Sequence, residues 1–394
     1  MLGIVWGIVA VTVLMAYGGG FREVLVRSFY SVGQSVVVCI HGQTSEQAGG
    51  ERAGRRIYFE KADREVVLAE ATMVREVSLE TVRSQPIAAG DRLVNAWVRA
   101  VYPEYGRIRN EVARAGRWIS PEDFVERRRV VFLGDRLREK VFGGQPAVGE
   151  TVRIAGLRFT VVGVMDRKLQ LSSYYARDDE SAFIPYSAAS DLWDTRYADI
   201  FLFSAVAPAL EPLAMEQVRA AIAKRQRFSP TDQRAIRMYG REQYRPVIDG
   251  ITIGLQILLV FVGTLTLGIG GVGVANIMLV SVDERIREIG LRRALGARRR
   301  HIRGQFLAEA LLLTLLGGAI GIVVAFLVAA AVGSLPLLGP IFQDDSGKGD
   351  LQLAISPLTV LVSTLILVIV GVMSGLVPAV HASRLDPVEA LRYE

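Results

Sequence analysis

The sequence has little cysteine and little histidine: one cysteine and three histidines in 394 residues. Cys39 has no second cysteine to pair with, so an intrachain disulfide is excluded. The histidines His41, His301 and His381 are scattered and lack acidic or histidine neighbours at the spacing of metal ligands. The sequence therefore predicts no metal centre.

Recognisable catalytic motifs are also lacking. There is no nucleophile elbow, and Gly347-Lys348-Gly349 lacks the upstream glycine and the Ser/Thr of a nucleotide-binding P-loop. Residues 268–273 match G-x-G-x-x-G, but a dinucleotide site needs a preceding strand, and this motif lies inside the uncharged run 251–282. We therefore predict no catalytic residue and no cofactor on this chain, and a membrane-bound enzyme is the weakest interpretation.

Long uncharged apolar runs are what the chain does have. It is 51% hydrophobic with a mean hydropathy of +0.32, and about 20 helical residues suffice to cross a bilayer. Between the first two of four such runs lies a stretch of ordinary polar composition, 22–250. The sequence predicts an α-helical membrane protein with four transmembrane helices and a large mixed α+β extracytoplasmic domain inserted between the first and second. The apolar runs are 1–21, 251–282, 310–343 and 351–383.

The excess positive charge indicates the orientation. The net charge is +6, and segment 283–303 alone holds eight arginines against three acidic residues. Basic loops stay in the cytoplasm, whereas loop 344–350 has one lysine against three aspartates and suits the outer side. Both termini are then inside and the domain outside. Membrane lipid is a better partner than nucleic acid for this cluster. The first run lacks the basic start of a signal peptide, which favours a retained span.

The segment 281–296, between the second and third runs, carries the most information. Ser281 and Glu284 have capping-box spacing, Glu288 and Arg292 form an i,i+4 pair, and Gly296 suits a helix end. On a helix its apolar residues fall on two opposite sides, which favours a short helix held between the spans and a second cytoplasmic body. A simple charged connector remains the alternative. The two apolar sides are Ile286 with Ile289, and Leu291 with Leu295.

Two further patterns concern the spans. Glu309, the acidic residue nearest the apolar part of a span, is predicted to lie near the cytoplasmic face. Interfacial placement or pairing with a neighbouring basic group is favoured there over the alternative, a role in proton relay. Small residues four apart let helices approach closely in lipid. The sequence therefore predicts helix-packing roles for six glycines, Gly270, Gly271, Gly317, Gly321, Gly371 and Gly375.

In these segments the chain resembles the MacB/FtsX-like permease family of ABC transporters. The residues that carry the resemblance are GGVGVANIMLVSVDERIREIGLRRALGA (270–297), QFLAEAL (305–311) and PAVHASRLDPVEALR (378–392). Shorter matches at 116–117, 142–143, 148–149 and 159–164 resemble the family's extracytoplasmic domain, and LGIVWG (2–7) resembles the start of its first span. Ala275 departs from the family, which often has methionine there.

The resemblance implies a permease subunit of the bacterial cytoplasmic (inner) membrane, not an enzyme, that works with an ABC ATPase in trans. The ATPase would bind the ATP and magnesium. It also implies a homodimer or a heterodimer with a related permease, with a periplasmic adaptor or membrane-fusion protein as a further partner. In such mechanotransmission, ATP-driven dimer closure moves the outer domains. The implied ATPase-coupling residues are Glu284, Arg285, Arg287, Glu288, Ile289, Gly290, Arg293, Ala294 and Gly296.

The predicted function is export, or extraction of a substrate at the outer face. The alternative is a non-transporting regulator of an extracytoplasmic partner such as a cell-wall hydrolase. We also expect a basic helix upstream of Met1, because the family's usual basic flank is missing. The predicted segments are transmembrane helices at 1–21, 304–335 and 356–381, a stalk with the second transmembrane helix at 241–282, another stalk at 22–29, a domain of two subdomains at 30–240, a coupling loop at 283–303, an outer loop at 336–355 and a cytoplasmic tail at 382–394.

Overall fold

The computed structural model describes the chain except residues 32, 34, 171–172, 343–346, 388–389 and 391–394. Two of the aspartates of the predicted outer loop and part of the predicted tail lie outside the described residues. The described chain forms two compact units. The helical unit comprises Met1–Leu25, Asp249–Leu337 and Asp350–Glu394, and the sheet unit comprises Val26–Ile248 and Leu338–Gly349.

Helices dominate one unit and strands the other. The helices are α1 (Leu2–Tyr30), α2 (Lys61–Glu70), α3 (Tyr105–Ile108), α4 (Pro121–Val125), α5 (Asp135–Phe142), α6 (Tyr186–Ala189), α7 (Glu211–Gln226), α8 (Arg245–Glu284), α9 (Ile286–Ala294), α10 (Arg299–Val332), α11 (Gly339–Phe342) and α12 (Pro357–Arg384). The strands are β1 (Val36–His41), β2 (Val74–Ala89), β3 (Arg92–Val101), β4 (Ala113–Gly116), β5 (Val130–Leu133), β6 (Thr151–Ile154), β7 (Leu157–Met165), β8 (Ser181–Pro185), β9 (Ile200–Ala205), β10 (Ile236–Gly240), β11 (Ser334–Pro336) and β12 (Asp350–Gln352).

Among the described residues, four helices are long and apolar enough to cross a membrane. They leave large apolar side chains uncovered, including Phe261 and Ile269 of α8, which are 59% and 75% exposed. A soluble monomer rarely exposes so much continuous apolar surface, whereas lipid would cover it. The four helices are Leu2–Tyr30, Glu242–Glu284, Arg299–Val332 and Pro357–Arg384.

The helices extend further than the predicted spans do. Helix α1 continues through three successive glycines, 18–20, into the predicted stalk 22–29. Close neighbours support it there: a Cβ on Gly18 would lie 3.2 Å from the side chain of Leu259, and one on Gly20 would lie 2.5 Å from the carbonyl oxygen of Gln352. Helix α10 begins at Arg299, inside the predicted loop 283–303, since arginine is a good helix former.

The predicted capping box at Ser281 and Glu284 is wrong. Both residues lie inside α8, which runs without a helix breaker to Glu284. The residue that precedes the next helix is Arg285, and its side chain makes no capping hydrogen bond. A capping box requires that a helix begins at the serine. The helix formed by the preceding apolar run instead continues through Ser281, so no helix begins there.

Short-range sequence patterns account for several turns and helix ends of the sheet unit. Strands β6 and β7 form a hairpin whose turn, Ala155 and Gly156, has left-handed backbone angles (φ of 46° and 89°), a conformation that favours glycine. Ser120 caps α4, accepting a hydrogen bond from the backbone N–H of Asp123 at 3.3 Å. Helix α5 ends with Phe142 and is followed by Gly143, whose φ is +63°.

One mixed sheet of ten strands organises this unit. The order is β10-β1-β9-β2-β3-β8-β5-β7-β4, with β6 paired to β2 and β7. The long strand β2, with 16 residues, pairs with β3, β6 and β9. The two predicted subdomains therefore share a single sheet, which long-range strand pairing decides and local pattern does not show.

A buried cluster of balanced charges lies beside this sheet. Its centre is Asp178, which accepts from Arg99 at 2.5 Å and from Arg109 and Lys168 at 2.8 Å. Arg99 also pairs with Glu80, and Lys168 pairs with Glu111 at 2.7 Å. Burial of an unpaired charge is costly. The three cations of this cluster face three carboxylates, so each buried charge has a partner of opposite sign.

Candidate coupling surface

The short helix α9 connects the two long helices α8 and α10. It ends at Ala294 and is followed by Leu295 and by Gly296, whose φ is +94°. Gly296 donates its backbone N–H to Arg293 and Ala297 donates to Arg292, both at 3.1 Å. The glycine allows this turn because a side chain would strain a positive φ. The predicted helix end at Gly296 is therefore confirmed.

One side of α9 is buried within the helical unit. Ile286 is 9% and Ile289 1% exposed, and Ile289 belongs to a core cluster with Phe306 of α10. Gly290 is buried on the same side, where a Cβ would lie 2.6 Å from the Cβ of Ala390. This contact leaves no room for a larger residue at position 290.

Hydrogen bonds attach α9 to its neighbours. The Arg293 guanidinium donates to the carbonyl oxygens of Ser383, at 3.4 Å, and of Leu385, at the end of α12. Arg292 pairs with Glu288 at 2.5 Å, which confirms the predicted i,i+4 pair, and donates to Gln305 of α10 at 2.8 Å. Helix α9 is therefore anchored to both α10 and α12.

Glu309 pairs with Arg285, whose Nη1 lies 3.5 Å from both carboxylate oxygens of Glu309. The predicted pairing with a basic group is therefore confirmed. The bond joins the start of α9 to α10. At this distance and exposure it contributes little stability.

The opposite side of α9 is uncovered. Leu291 is 53% and Leu295 81% exposed, and Ala294 lies between them. Charged side chains surround them. We call the exposed set the coupling surface: Glu284, Arg287, Glu288, Leu291, Ala294 and Leu295.

The nine residues implied for coupling divide between the two sides of this helix. Ile289 and Gly290 are buried, and Arg293 is half-buried and hydrogen-bonded to the end of α12. The exposed members are Glu284, Arg285, Arg287, Glu288, Ala294 and Gly296. The implied set does not include Leu291 and Leu295, the two large apolar residues exposed in segment 286–295. The sequence indicated them through the apolar residues on two opposite sides of the predicted helix.

The predicted packing glycines all face another helix. On α8, a Cβ on Gly270 would lie 2.5 Å from the carbonyl oxygen of Gly3, and one on Gly271 would lie 2.5 Å from Ser374 Oγ. On α10, Gly317 approaches Ile4 (3.1 Å) and Gly321 contacts Ile8 and Val5. On α12, Gly371 approaches Thr314 Oγ1 (2.6 Å), and Gly375 approaches Ala310 (2.7 Å).

The contacts between α1 and α8 also involve glycines that the prediction missed. A Cβ on Gly7 would lie 2.8 Å from the Cα of Leu267, and one on Gly263 would lie 3.0 Å from the Cα of Val11. Gly3 and Gly7 are four residues apart, so the small-xxx-small spacing in the first run was an available signal. The G-x-G-x-x-G motif lies within α8, where two of its glycines pack against helices.

Comparison with known proteins identifies the family. Residues 1–225 match the family model of the MacB-like periplasmic core domain, and residues 260–387 match that of the FtsX-like permease C-terminal region. The chain is 29% identical over 395 residues to the macrolide export ATP-binding/permease protein MacB of Bdellovibrio bacteriovorus, covering 100% of this chain and 59% of that protein. It is 28% identical over 394 residues to the uncharacterized ABC transporter permease YknZ of Bacillus subtilis, covering 100% and 94%.

The crystal structure of the periplasmic region of MacB from Actinobacillus actinomycetemcomitans is also similar, with a TM-score of 0.43 and 15% identity over 58% of this chain and 98% of that one. The chain spans less than three fifths of the MacB relative from Bdellovibrio. The Bdellovibrio and Bacillus relatives are named as an ATP-binding/permease protein and as an ABC transporter permease. With four helices among the described residues that are long and apolar enough to cross a membrane, and matches to both family models, the chain belongs to the MacB/FtsX-like family of ABC transporter permeases.

Proposed function

We propose that this permease binds a separate ABC ATPase through the coupling surface and transmits the energy of ATP hydrolysis to its outer domain. The resulting movement serves export, or extraction of a substrate at the outer face of the membrane. One observation carries the proposal: α9 is buried on one side, whereas Leu291 and Leu295 on the other side are exposed.

The composition of the coupling surface favours a protein partner over lipid. A helix that rests on a membrane has one apolar stripe opposite a basic face, but here acidic Glu284 and Glu288 lie among the exposed leucines. Protein interfaces commonly have an apolar centre with a polar rim. Leu291, Ala294 and Leu295 would form the centre and the charged residues the rim.

The attachment of α9 supports transmission of force. Its buried side packs against the core of the helical unit, and Arg293 attaches it to the end of α12. Pressure on the coupling surface would therefore be passed to the long helices. Helix α8 has 40 residues, about 60 Å at 1.5 Å per residue, and a continuous helix resists bending.

The proposal also covers the partners and the membrane. The ATPase acts in trans, two permease chains form a homodimer or a heterodimer, and the site of action is the bacterial inner membrane. The names of the relatives that match over the full chain, macrolide export proteins, support the export function. The alternative is a non-transporting regulator of an extracytoplasmic partner such as a cell-wall hydrolase. The proteins that co-purify with the permease distinguish this role from export.

The test replaces both exposed leucines, as Leu291→Asp with Leu295→Asp, in a tagged full-length chain purified from native membranes. We expect an ABC ATPase to co-purify with the unchanged protein and to be lost from the double variant. The matched control is Leu93→Asp, which makes the same change at an exposed leucine outside the coupling surface. Leu93 lies on β3 of the sheet unit and is 70% exposed.

Equal recovery of the ATPase with the double variant and with the control, at equal membrane insertion, would refute docking at this surface. An adaptor protein among the co-purifying partners would support export. A co-purifying hydrolase would instead support the regulatory alternative.

A further inference from the structure

The sheet unit contains a cavity of about 530 Å³, within the size range of small-molecule sites. One wall is aliphatic and consists of Val36, Val38 and Ile40 of β1. Aromatic side chains from the end of α1 and from the segment before α8, Phe29 and Tyr244, also line it. This part of the cavity suits an apolar chain or ring.

Two arginines form the polar part of the same cavity. Arg109 is 4% exposed and donates to Asp178 at 2.8 Å. Arg241 lies with its guanidinium 4.3 Å from the centre of the Phe29 ring and donates to the Phe29 carbonyl oxygen. Among the described residues, no carboxylate lies within ion-pair distance of Arg241. The cavity therefore has one cation compensated by an acid and a second without an ion pair.

The environment of Arg241 is unfavourable for its charge. Burial, and then the charge of Arg109, lower the pKa of Arg241 to about 10, although the carboxylates of Glu211 and Glu242 act in the opposite direction. The Nε atoms of Arg109 and Arg241 are both buried without a hydrogen-bond partner in the described chain. A bound anion between the two guanidinium groups would relieve their repulsion.

We propose that this cavity binds an amphipathic molecule with a carboxylate or phosphate head group. The head group lies between Arg109 and Arg241, and the apolar part lies on Val36, Val38 and Ile40. Guanidinium groups suit both anions because their donors match two oxygens at once. The proposal does not depend on the coupling surface, so either can fail without the other.

Arg241 has a competing, purely structural role, because its bond to the Phe29 carbonyl satisfies the end of α1. In that role its replacement would lower the thermal unfolding temperature and leave binding of an amphipathic anion unchanged. The two roles therefore give different outcomes for the same variant.

The experiment measures equilibrium binding of radiolabelled dodecanoate to the full-length protein in zwitterionic lipid nanodiscs, with empty nanodiscs subtracted. We expect one saturable site per chain, and we expect dodecanol, which has the same tail without the charge, not to compete. Arg241→Gln should weaken binding at least about tenfold, as expected for loss of a charged hydrogen-bonding group, while Arg241→Lys retains part of it.

The matched control is Arg153→Gln, which removes the same charge from an exposed position on β6. We expect unchanged affinity. Tyr244→Ala changes the apolar lining at a position that is 48% exposed, and it should weaken binding without unfolding the protein. Equal binding by dodecanol, or unchanged affinity in both Arg241→Gln and Tyr244→Ala, would overturn the proposal.

A second arm identifies the source of the ligand. Nanodiscs containing phosphatidylglycerol compete with dodecanoate if the site takes a membrane lipid. If dodecanoate binds equally in both kinds of nanodisc, the site takes a dissolved amphiphile. Either result supports the site and assigns its ligand.

Discussion

Gly290 shows how one missing side chain sets the position of α9. A Cβ at this residue would lie 2.6 Å from the Cβ of Ala390, closer than real carbon atoms approach. A side chain there must therefore move α9 away from the segment that follows α12, and the coupling surface moves with it.

We predict that Gly290→Ala reduces stimulation of the partner ATPase by the permease and that Ala390→Gly, added to it, restores stimulation. The second change removes the methyl group that the first one meets. The measurement is ATP hydrolysis by the purified complex, with membrane insertion checked for each variant. A double variant no better than Gly290→Ala would contradict this steric explanation.

Glu211 should make the stability of the sheet unit depend on pH. Burial raises its pKa from 4.5 to about 7, against a hydrogen bond from the backbone N–H of Glu242 at 3.0 Å. Because the folded state holds this proton more tightly, the stabilisation is complete below pH 4.5 and is lost as the pH rises through about 7.

We predict that Glu211→Gln, which stays neutral and keeps a hydrogen-bond acceptor, equals the unchanged protein in thermal stability at pH 4. At pH 8 it should be more stable, by about 3 kcal/mol, the free energy that corresponds to a rise in pKa from 4.5 to about 7. Thermal unfolding of the full-length chain at several pH values measures this. Glu65→Gln, at an exposed position of α2, is the control, and the same pH dependence in both variants would exclude Glu211 as its origin.

At the scale of the element, helix α8 contains glycines in two different environments. A Cβ on Gly270 would meet the backbone of Gly3 in α1 at 2.5 Å, whereas one on Gly273 has no neighbour within 4 Å. The same substitution should therefore have opposite effects at two positions one helical turn apart.

We predict that Gly270→Ala destabilises the helical unit, since α1 must move away from α8. Gly273→Ala should stabilise it by about 1 kcal/mol, the difference in helix propensity between glycine and alanine. Thermal unfolding in the same lipid environment compares the two. If both variants shift the unfolding temperature in the same direction, close packing at Gly270 does not decide the effect.

At the scale of the whole molecule, the proposed transmission of force can be followed by crosslinking. Val26 and Val247 lie on the two helices that join the spans to the sheet unit, and Val247 is 59% exposed. The native Cys39 is fully buried, and this burial raises the pKa of its thiol. Introduced cysteines therefore react with little background.

We predict that crosslinks between two permease chains through cysteines at positions 26 and 247 change in yield when the partner ATPase is trapped with ATP. A cysteine at Val125, 78% exposed on α4, serves as the control for labelling. Identical crosslinking with and without trapped ATP would show that these helices do not transmit the movement.

Features that depend only on residues close together in the chain are predictable from the sequence. Four uncharged runs are enough to specify four long helices, because a helix satisfies its own backbone groups and needs only apolar side chains in lipid. The hairpin at Ala155 and Gly156, the cap at Ser120 and the two apolar sides of α9 follow in the same way from short-range spacing. The glycines that pack between helices were recognisable at six positions.

Contacts between residues far apart in the chain became visible with the folded structure. Asp178 faces Arg99 and Arg109 because strands and loops far apart in sequence converge there, and local pattern carries no record of that pairing. Arg241 joins Val38 in one cavity for the same reason. The sequence predicts a helix start at Ser281, whereas α8 continues to Glu284. Whether a helix continues past a good capping residue depends on what its next turn packs against, and here that turn carries Val282, which is buried in the core of the helical unit.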